Sequence, residues 1–127
     1  MNNQMRARYL EAAKTPDEPL FIPKDAMEIF GIASHSTLQR FDKIGLIKAK
    51  RNSIGHRRYT YNQIEFMKKL QKLIELDISL LTIKTLMEYE IEEGRNPEEF
   101  IEKFAAFYTK RIYSANRNKA RKAKRQG

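Results

Sequence analysis

Ser34-His-Ser-Thr-Leu-Gln-Arg-Phe-Asp-Lys-Ile-Gly-Leu46 is the stretch on which the fold turns. Leu38, Phe41 and Ile44 recur every third residue, which puts them on one face of a helix and leaves His35, Ser36, Gln39, Arg40 and Lys43 on the others. Ser34 or Ser36 opens that helix, because a serine hydroxyl accepts a hydrogen bond from a free amide of the first turn; Gln39 follows Ser36 by three residues. Gly45 ends it. Upstream, Pro23 suits a first helical turn, Ala26, Met27 and Phe30 follow at helical spacing, and Gly31 terminates the run. Two short helices joined by a tight turn make a helix-turn-helix.

Downstream, Leu46-Ile-Lys-Ala-Lys50 and His56-Arg-Arg-Tyr-Thr60 flank the turn-rich Arg51-Asn-Ser-Ile-Gly55. This predicts a hairpin with one mixed and one strongly basic strand, which directly after a second helix reads as a wing that reaches the phosphate backbone or the minor groove. A third helix is expected from about Asn62 to Leu76. A fourth opens at Ser79 and carries Leu80, Ile83, Leu86, Met87 and Ile91, with Glu88, Glu90, Glu92 and Glu93 gathered at the end where the helix dipole disfavours negative charge. Asn96-Pro97-Glu98-Glu99 starts a fifth helix, striped with Phe100, Ile101, Phe104, Phe107, Tyr108, Ile112 and Ala115. The fold class expected is therefore mainly α. A winged helix-turn-helix with a short β-hairpin fills residues 21–93, a dimerisation helix 94–116 and a basic tail, frayed when free, 117–127. Residues 1–20 read as an extension: Ala7 to Ala13 form at most a turn or two of helix before Thr15-Pro-Asp-Glu-Pro19 breaks it.

Charge divides the chain further. The net charge of +9 over 127 residues resolves into −1 for residues 1–39, +8 for 40–72, −7 for 73–102 and +9 for 103–127. Such blocks read as separate surfaces, or as ordinary solvated faces. Without cysteine there is no disulfide, thiolate ligand or cysteine nucleophile, and His35 and His56 have no carboxylates at a metal-binding spacing. No cofactor is expected, and no nucleophile–base pair or phosphate-binding glycine loop points to an enzyme. The apolar runs are too short to span a bilayer and Met1-Asn-Asn-Gln-Met-Arg6 is no signal segment, so a cytoplasmic, nucleoid-associated protein is expected.

Three stretches in order, Ser34 to Leu46, Gly55-His-Arg-Arg-Tyr-Thr60 and Asp77-Ile-Ser-Leu-Leu-Thr-Ile83, resemble the MerR-type winged helix-turn-helix group, which includes excisionase-like DNA binders. The resemblance covers residues 21–92. Gln39 stands where that family usually places arginine, and His56 where it usually has tyrosine or a similar ring. The resemblance implies a recognition helix, a wing, and a following helix that pairs two subunits as an antiparallel coiled coil. The aromatic stripe of the fifth helix suggests the same pairing independently. The effector-binding cysteines or separate domain of the sensing members are missing here, so no small-molecule effector is expected.

The DNA-contact candidates follow from charge and hydrogen-bonding chemistry. Arg40, Lys43, Arg57 and Arg58 would neutralise phosphates and release condensed counterions; Lys48, Lys50 and Arg51 are weaker candidates of the same kind. His35, Ser36 and Gln39 sit where base edges could be read, glutamine pairing bidentately with adenine. Tyr59 reads first as packing and second as a phosphate contact through its hydroxyl. Phe100, Ile101, Phe104, Phe107, Tyr108 and Ile112 are the dimerisation candidates. The leading expectation is a sequence-specific, dimeric transcriptional regulator on double-stranded DNA with inverted or direct repeats. The alternatives are an architectural accessory in DNA segregation, excision or conjugation, and a protein-interaction module whose basic tail binds acidic partners or RNA.

Overall fold

The computed structural model describes residues 1–31 and 34–126, with side chains as far as Arg117. Six helices and one hairpin follow in order: α1 (Asn3–Ala12), α2 (Pro23–Phe30), α3 (His35–Ile44), β1 (Lys50–Arg51), β2 (Arg57–Arg58), α4 (Tyr61–Glu75), α5 (Leu80–Glu92) and α6 (Pro97–Gln126). Local chemistry sets most of these ends. Ser34 Oγ accepts from the Ser36 amide at 3.1 Å, Ser79 Oγ from Thr82 at 3.1 Å, and Asn96 Oδ1 from both Glu98 and Glu99. At the opening of α4, Thr60 and Gln63 cap each other reciprocally. Gly31 and Gly45 close α2 and α3 at φ of 86° and 85°, a left-handed backbone that glycine adopts without a Cβ clash.

The core lies where α2, α3, α4 and α5 converge, and it gathers Ala26, Leu38, Phe41, Ile64, Met67, Leu70, Leu73 and Ile83, with Ile101 and Ala105 added from α6. Mainly helical, with a small antiparallel hairpin after the second and third helices, the fold is a winged helix-turn-helix.

The N-terminal segment is more than an extension. Helix α1 packs against α2 and buries Met5, Tyr9 and Ala12, residues spaced to fall on one helical face. The Tyr9 hydroxyl donates to Glu65 of α4, Lys68 lies over the same ring at 4.5 Å, and Tyr61 packs against it at 4.7 Å. Helix α1 stops at Ala12, ahead of Pro16 and Pro19, and remains packed on its neighbours.

The wing strands are shorter than the flanking sequence predicts. Only Lys50↔Arg58 and Arg51↔Arg57 pair. Tyr59 is withdrawn from the hairpin because its backbone exchanges hydrogen bonds with Phe21 at 2.7 and 3.0 Å, and Leu46 and Ile47 turn their amides back to the Phe41 carbonyl.

Two further differences concern the C-terminal half. Glu90, one of the four acids at the end of α5, is buried, and Arg95 folds back over Gly94 to meet its carboxylate at 2.5 and 3.2 Å. That bidentate contact answers the charge that the helix end disfavours, and it raises the Arg95 pKa. Helix α6 runs unbroken for 30 residues, about 45 Å, so the backbone expected to fray from Arg117 is helical to Gln126. The basic side chains expected to form the tail beyond residue 117 lie outside the described ones.

Candidate nucleic-acid interface

Helix α3 is amphipathic in a manner that fixes its outward face. Leu38 and Phe41 are buried, anchoring the helix to the core, while His35, Ser36, Gln39, Arg40 and Lys43 are exposed. Its C-terminus is followed immediately by the wing, and the two are tied together: Arg57 Nη2 lies 3.8 Å from Asp42 Oδ2. Gln63 of α4 donates to the Lys48 carbonyl at 2.6 Å, and Lys50 Nζ reaches the Asp17 carbonyl at 3.3 Å. Helix α3 and the hairpin are thus held in one frame by contacts from both sides of the hairpin.

The wing has an internal lock as well. Asn52 Oδ1 accepts from the amides of Ile54 and His56, the Asn52 amide donates to the His56 carbonyl, and Arg51 Nη1 donates to the Gly55 carbonyl at 2.9 Å. Gly55 takes φ of 82°, the left-handed conformation the turn needs.

Residues 23–90, just over half of the chain, match the MerR HTH family of regulatory proteins. The chain belongs to that family. A Streptomyces coelicolor protein named heat shock protein HspR is 31% identical over 77 residues, covering 60% of this chain and 50% of that protein. The chain therefore spans about half the length of the curated relative it matches. No solved structure matches it.

Within this MerR-type unit the predicted contact residues separate into three groups. Arg40, Lys43 and Lys48 are exposed, and no acid pairs with them among the described residues. Lys50, Arg51 and Arg58 make hydrogen bonds to backbone carbonyls and Arg57 pairs with Asp42, so these four are oriented rather than free. Tyr59 does not belong to the surface. It is 1% exposed, and burial pushes its hydroxyl pKa up while leaving that oxygen without a hydrogen-bond partner among the described residues. The bridge to Phe21 turns Tyr59 inward, so a phosphate contact from its hydroxyl is excluded in this conformation.

One cation escaped the sequence reading. Lys84, on α5, brings its Nζ within 3.8 Å of the point where a side chain on Gly45 would begin, beside Lys48 Cε at the same distance. Helices α3 and α5 pack together, so the C-terminal end of α3 carries Lys43, Lys48 and Lys84 around the negative pole of its dipole. The distance of 36 residues between Lys48 and Lys84 concealed this; only packing reveals it.

The dimerisation candidates also divide. Ile101 is fully buried within the protomer and packs into the core, so it is not a contact for a second subunit. Phe100, Phe104 and Tyr108 form a stacked ladder with centroid spacings of 5.6 and 5.8 Å, half-buried along α6. Phe107, Ile112 and the additional Tyr113 are exposed.

No described helix is long and apolar enough to cross a membrane, and among the described residues no group of His, Asp or Glu is placed to hold a metal ion.

Proposed function

We propose that the protein is a dimeric, sequence-specific regulator of transcription that binds double-stranded DNA. Helix α3 enters the major groove with His35, Ser36 and Gln39 toward base edges, where glutamine and serine have suitable donors and acceptors. Arg40, Lys43 and Lys48 contact phosphates, and the wing lays Arg57 and Arg58 on the adjacent backbone. The observation that carries this reading is the outward face of α3, where Arg40 and Lys43 are exposed with no acid paired to them among the described residues, beside the basic hairpin.

Two protomers pair through the part of α6 beyond the protomer core, with Phe104, Phe107, Tyr108 and Ile112 in the seam. Their two-fold relation matches half-sites about 34 Å apart, or multiples of it, in an inverted repeat.

Selection of duplexes from a random pool, followed by anisotropy titration over a range of salt, tests the reading. Enrichment of an inverted repeat, with log affinity falling against log salt at a slope near −0.9 per phosphate contacted, is expected. Equal affinity for every sequence overturns sequence-specific regulation.

A further inference from the structure

The wing ends in a residue that phosphate binding does not require. Ile54 sits at the apex of the turn between Ser53 and Gly55 with 72% of its surface exposed, more than any other large apolar side chain described. Around it the hairpin carries Lys50, Arg51, His56, Arg57 and Arg58. An isoleucine held in water at the tip of a cationic loop adds nothing to the core and nothing to solubility, so packing gives no reason for it.

The geometry presents that side chain firmly. The Ile54 amide donates to Asn52 Oδ1 at 3.1 Å, the same oxygen takes the His56 amide at 2.9 Å, and Gly55 donates to the Asn52 carbonyl at 3.0 Å. Arg51 closes the loop from the other side through the Gly55 carbonyl. Three backbone amides and one guanidinium therefore fix the apex. Ile54 is also β-branched and stiff about χ1, so little side-chain freedom is lost when it is inserted into a partner. Because β2 is coupled to α3 through Arg57 and Asp42, the tip has a set position relative to the recognition helix.

A partner that suits an apolar point ringed by cations is anionic outside and apolar inside. Duplex DNA has that construction: phosphates line the groove, and the stacked base faces lie behind. We propose that Ile54 is a wedge that the wing drives from the minor groove between two base pairs, kinking the duplex beside each major-groove contact. The cations of the hairpin hold the two backbones while the aliphatic side chain fills the opened step, the energetic pattern of proteins that unstack DNA to wrap it. Flexible pyrimidine–purine steps open most easily, so a preference for them arises at positions no polar side chain touches. This inference rests on the DNA-binding reading above.

The test uses the full chain and a duplex enriched from a random pool. End-to-end energy transfer between dyes reads the bend, and 2-aminopurine placed at successive positions reads unstacking. The wild type is expected to bend the duplex by about 20° or more per wing and to brighten 2-aminopurine at one step per half-site. Ile54→Ser should lose both signals while keeping its thermal midpoint and its salt slope, and Ile54→Leu should restore them. Bending by Ile54→Ser equal to wild type overturns the wedge, as does a wild type that binds its selected duplex without bending it; in both cases DNA binding itself stands. If no duplex is enriched at all, the DNA-binding reading fails and the wedge with it. Loss on Ile54→Ser of binding to phosphatidylglycerol vesicles, with the DNA bend intact, likewise overturns the wedge and assigns the tip to a lipid surface.

Discussion

Asp42 and Arg57 face each other at 3.8 Å, an acid on α3 restraining a hairpin arginine that we propose meets a phosphate. Both side chains are about one-third exposed, so the pair contributes modestly, about 0.2–1 kcal/mol. Asp42→Asn releases Arg57 and removes a negative charge from the face proposed to meet DNA. Affinity for the selected duplex should rise about two- to fivefold at low salt, an advantage that shrinks as salt screens it. Anisotropy titrations at two ionic strengths check this; weaker binding by Asp42→Asn would show that orienting the wing outweighs freeing the arginine.

Phe41 anchors α3 with no exposed surface, and its ring sits 6.3 Å from that of Phe30. Phe41→Ala should cost about 3–5 kcal/mol, through lost burial and the cavity left behind. Set against the 5–15 kcal/mol typical of a domain, that is a large share, and urea unfolding should show the midpoint falling accordingly.

Tyr9 gives α1 a measurable signature. Burial first, then its hydrogen bond to Glu65, raises the Tyr9 pKa, and burial raises that of Tyr59. In the unfolded chain both ionise near pH 10. Above that pH the folded state retains protons that the unfolded state has released, so stability is present below pH 10 and declines as pH rises. The slope approaches about 1.4 kcal/mol per pH unit for each such tyrosine. Tyr9→Phe should cost about 1 kcal/mol at neutral pH, since Glu65 keeps its contact with Lys68, and should flatten part of the alkaline slope. Denaturant melts at a series of alkaline pH values measure both effects.

Asp77 holds φ of 68° in the turn between α4 and α5, the one non-glycine residue at positive φ among those described. Asp77→Gly removes that strain and should stabilise the fold by about 0.5 kcal/mol, part of the gain being offset by glycine's greater freedom when unfolded. A higher urea midpoint with unchanged m-value is the expected result.

Phe107 is 56% exposed, and Arg111 stacks over its ring at 5.0 Å. Phe107→Glu places charge in the proposed seam without disturbing the protomer core. Sedimentation equilibrium should report about twice 15.0 kDa for the wild type and a monomer for the variant. A wild type that stays monomeric at tens of micromolar would remove the pairing of α6 from the proposed function.

What the sequence revealed in advance was whatever local chemistry determines. The caps at Ser79 and Asn96 and the stops at Gly31 and Gly45 are readable because each depends on side chains within three residues or on a single φ angle, while the cap of α3 is left between Ser34 and Ser36, of which the structure uses Ser34. Contacts between distant parts of the chain were not. Three apolar residues at Met5, Tyr9 and Ala12 mark a helical face, yet nothing near them announces Glu65 as the partner. The wing strands came out shorter because Phe21 claims the backbone of Tyr59, which no hairpin pattern reveals. The acids at the end of α5 looked like an unanswered charge; Arg95 answers one of them by returning over a glycine turn. At the interface, residue types indicated cations and hydrogen-bonding groups, while packing decided which are free, which are oriented and which, like Tyr59, are inside.

The attachment of α1 carries a consequence for the order in which the protein assembles. Its hydroxyl link joins residues 56 positions apart, whereas α2 meets α3, and α5 meets α6, across short connections. Closing the longer loop costs more chain entropy before any contact repays it. During synthesis α1 can meet α2 as soon as both have emerged, whereas the Tyr9 link closes only once α4 is present. Helix α1 buries Met5, Tyr9 and Ala12, whereas α4 buries Ile64, Phe66, Met67, Leu70 and Leu73, so amide hydrogens of α1 should exchange sooner than those of α4.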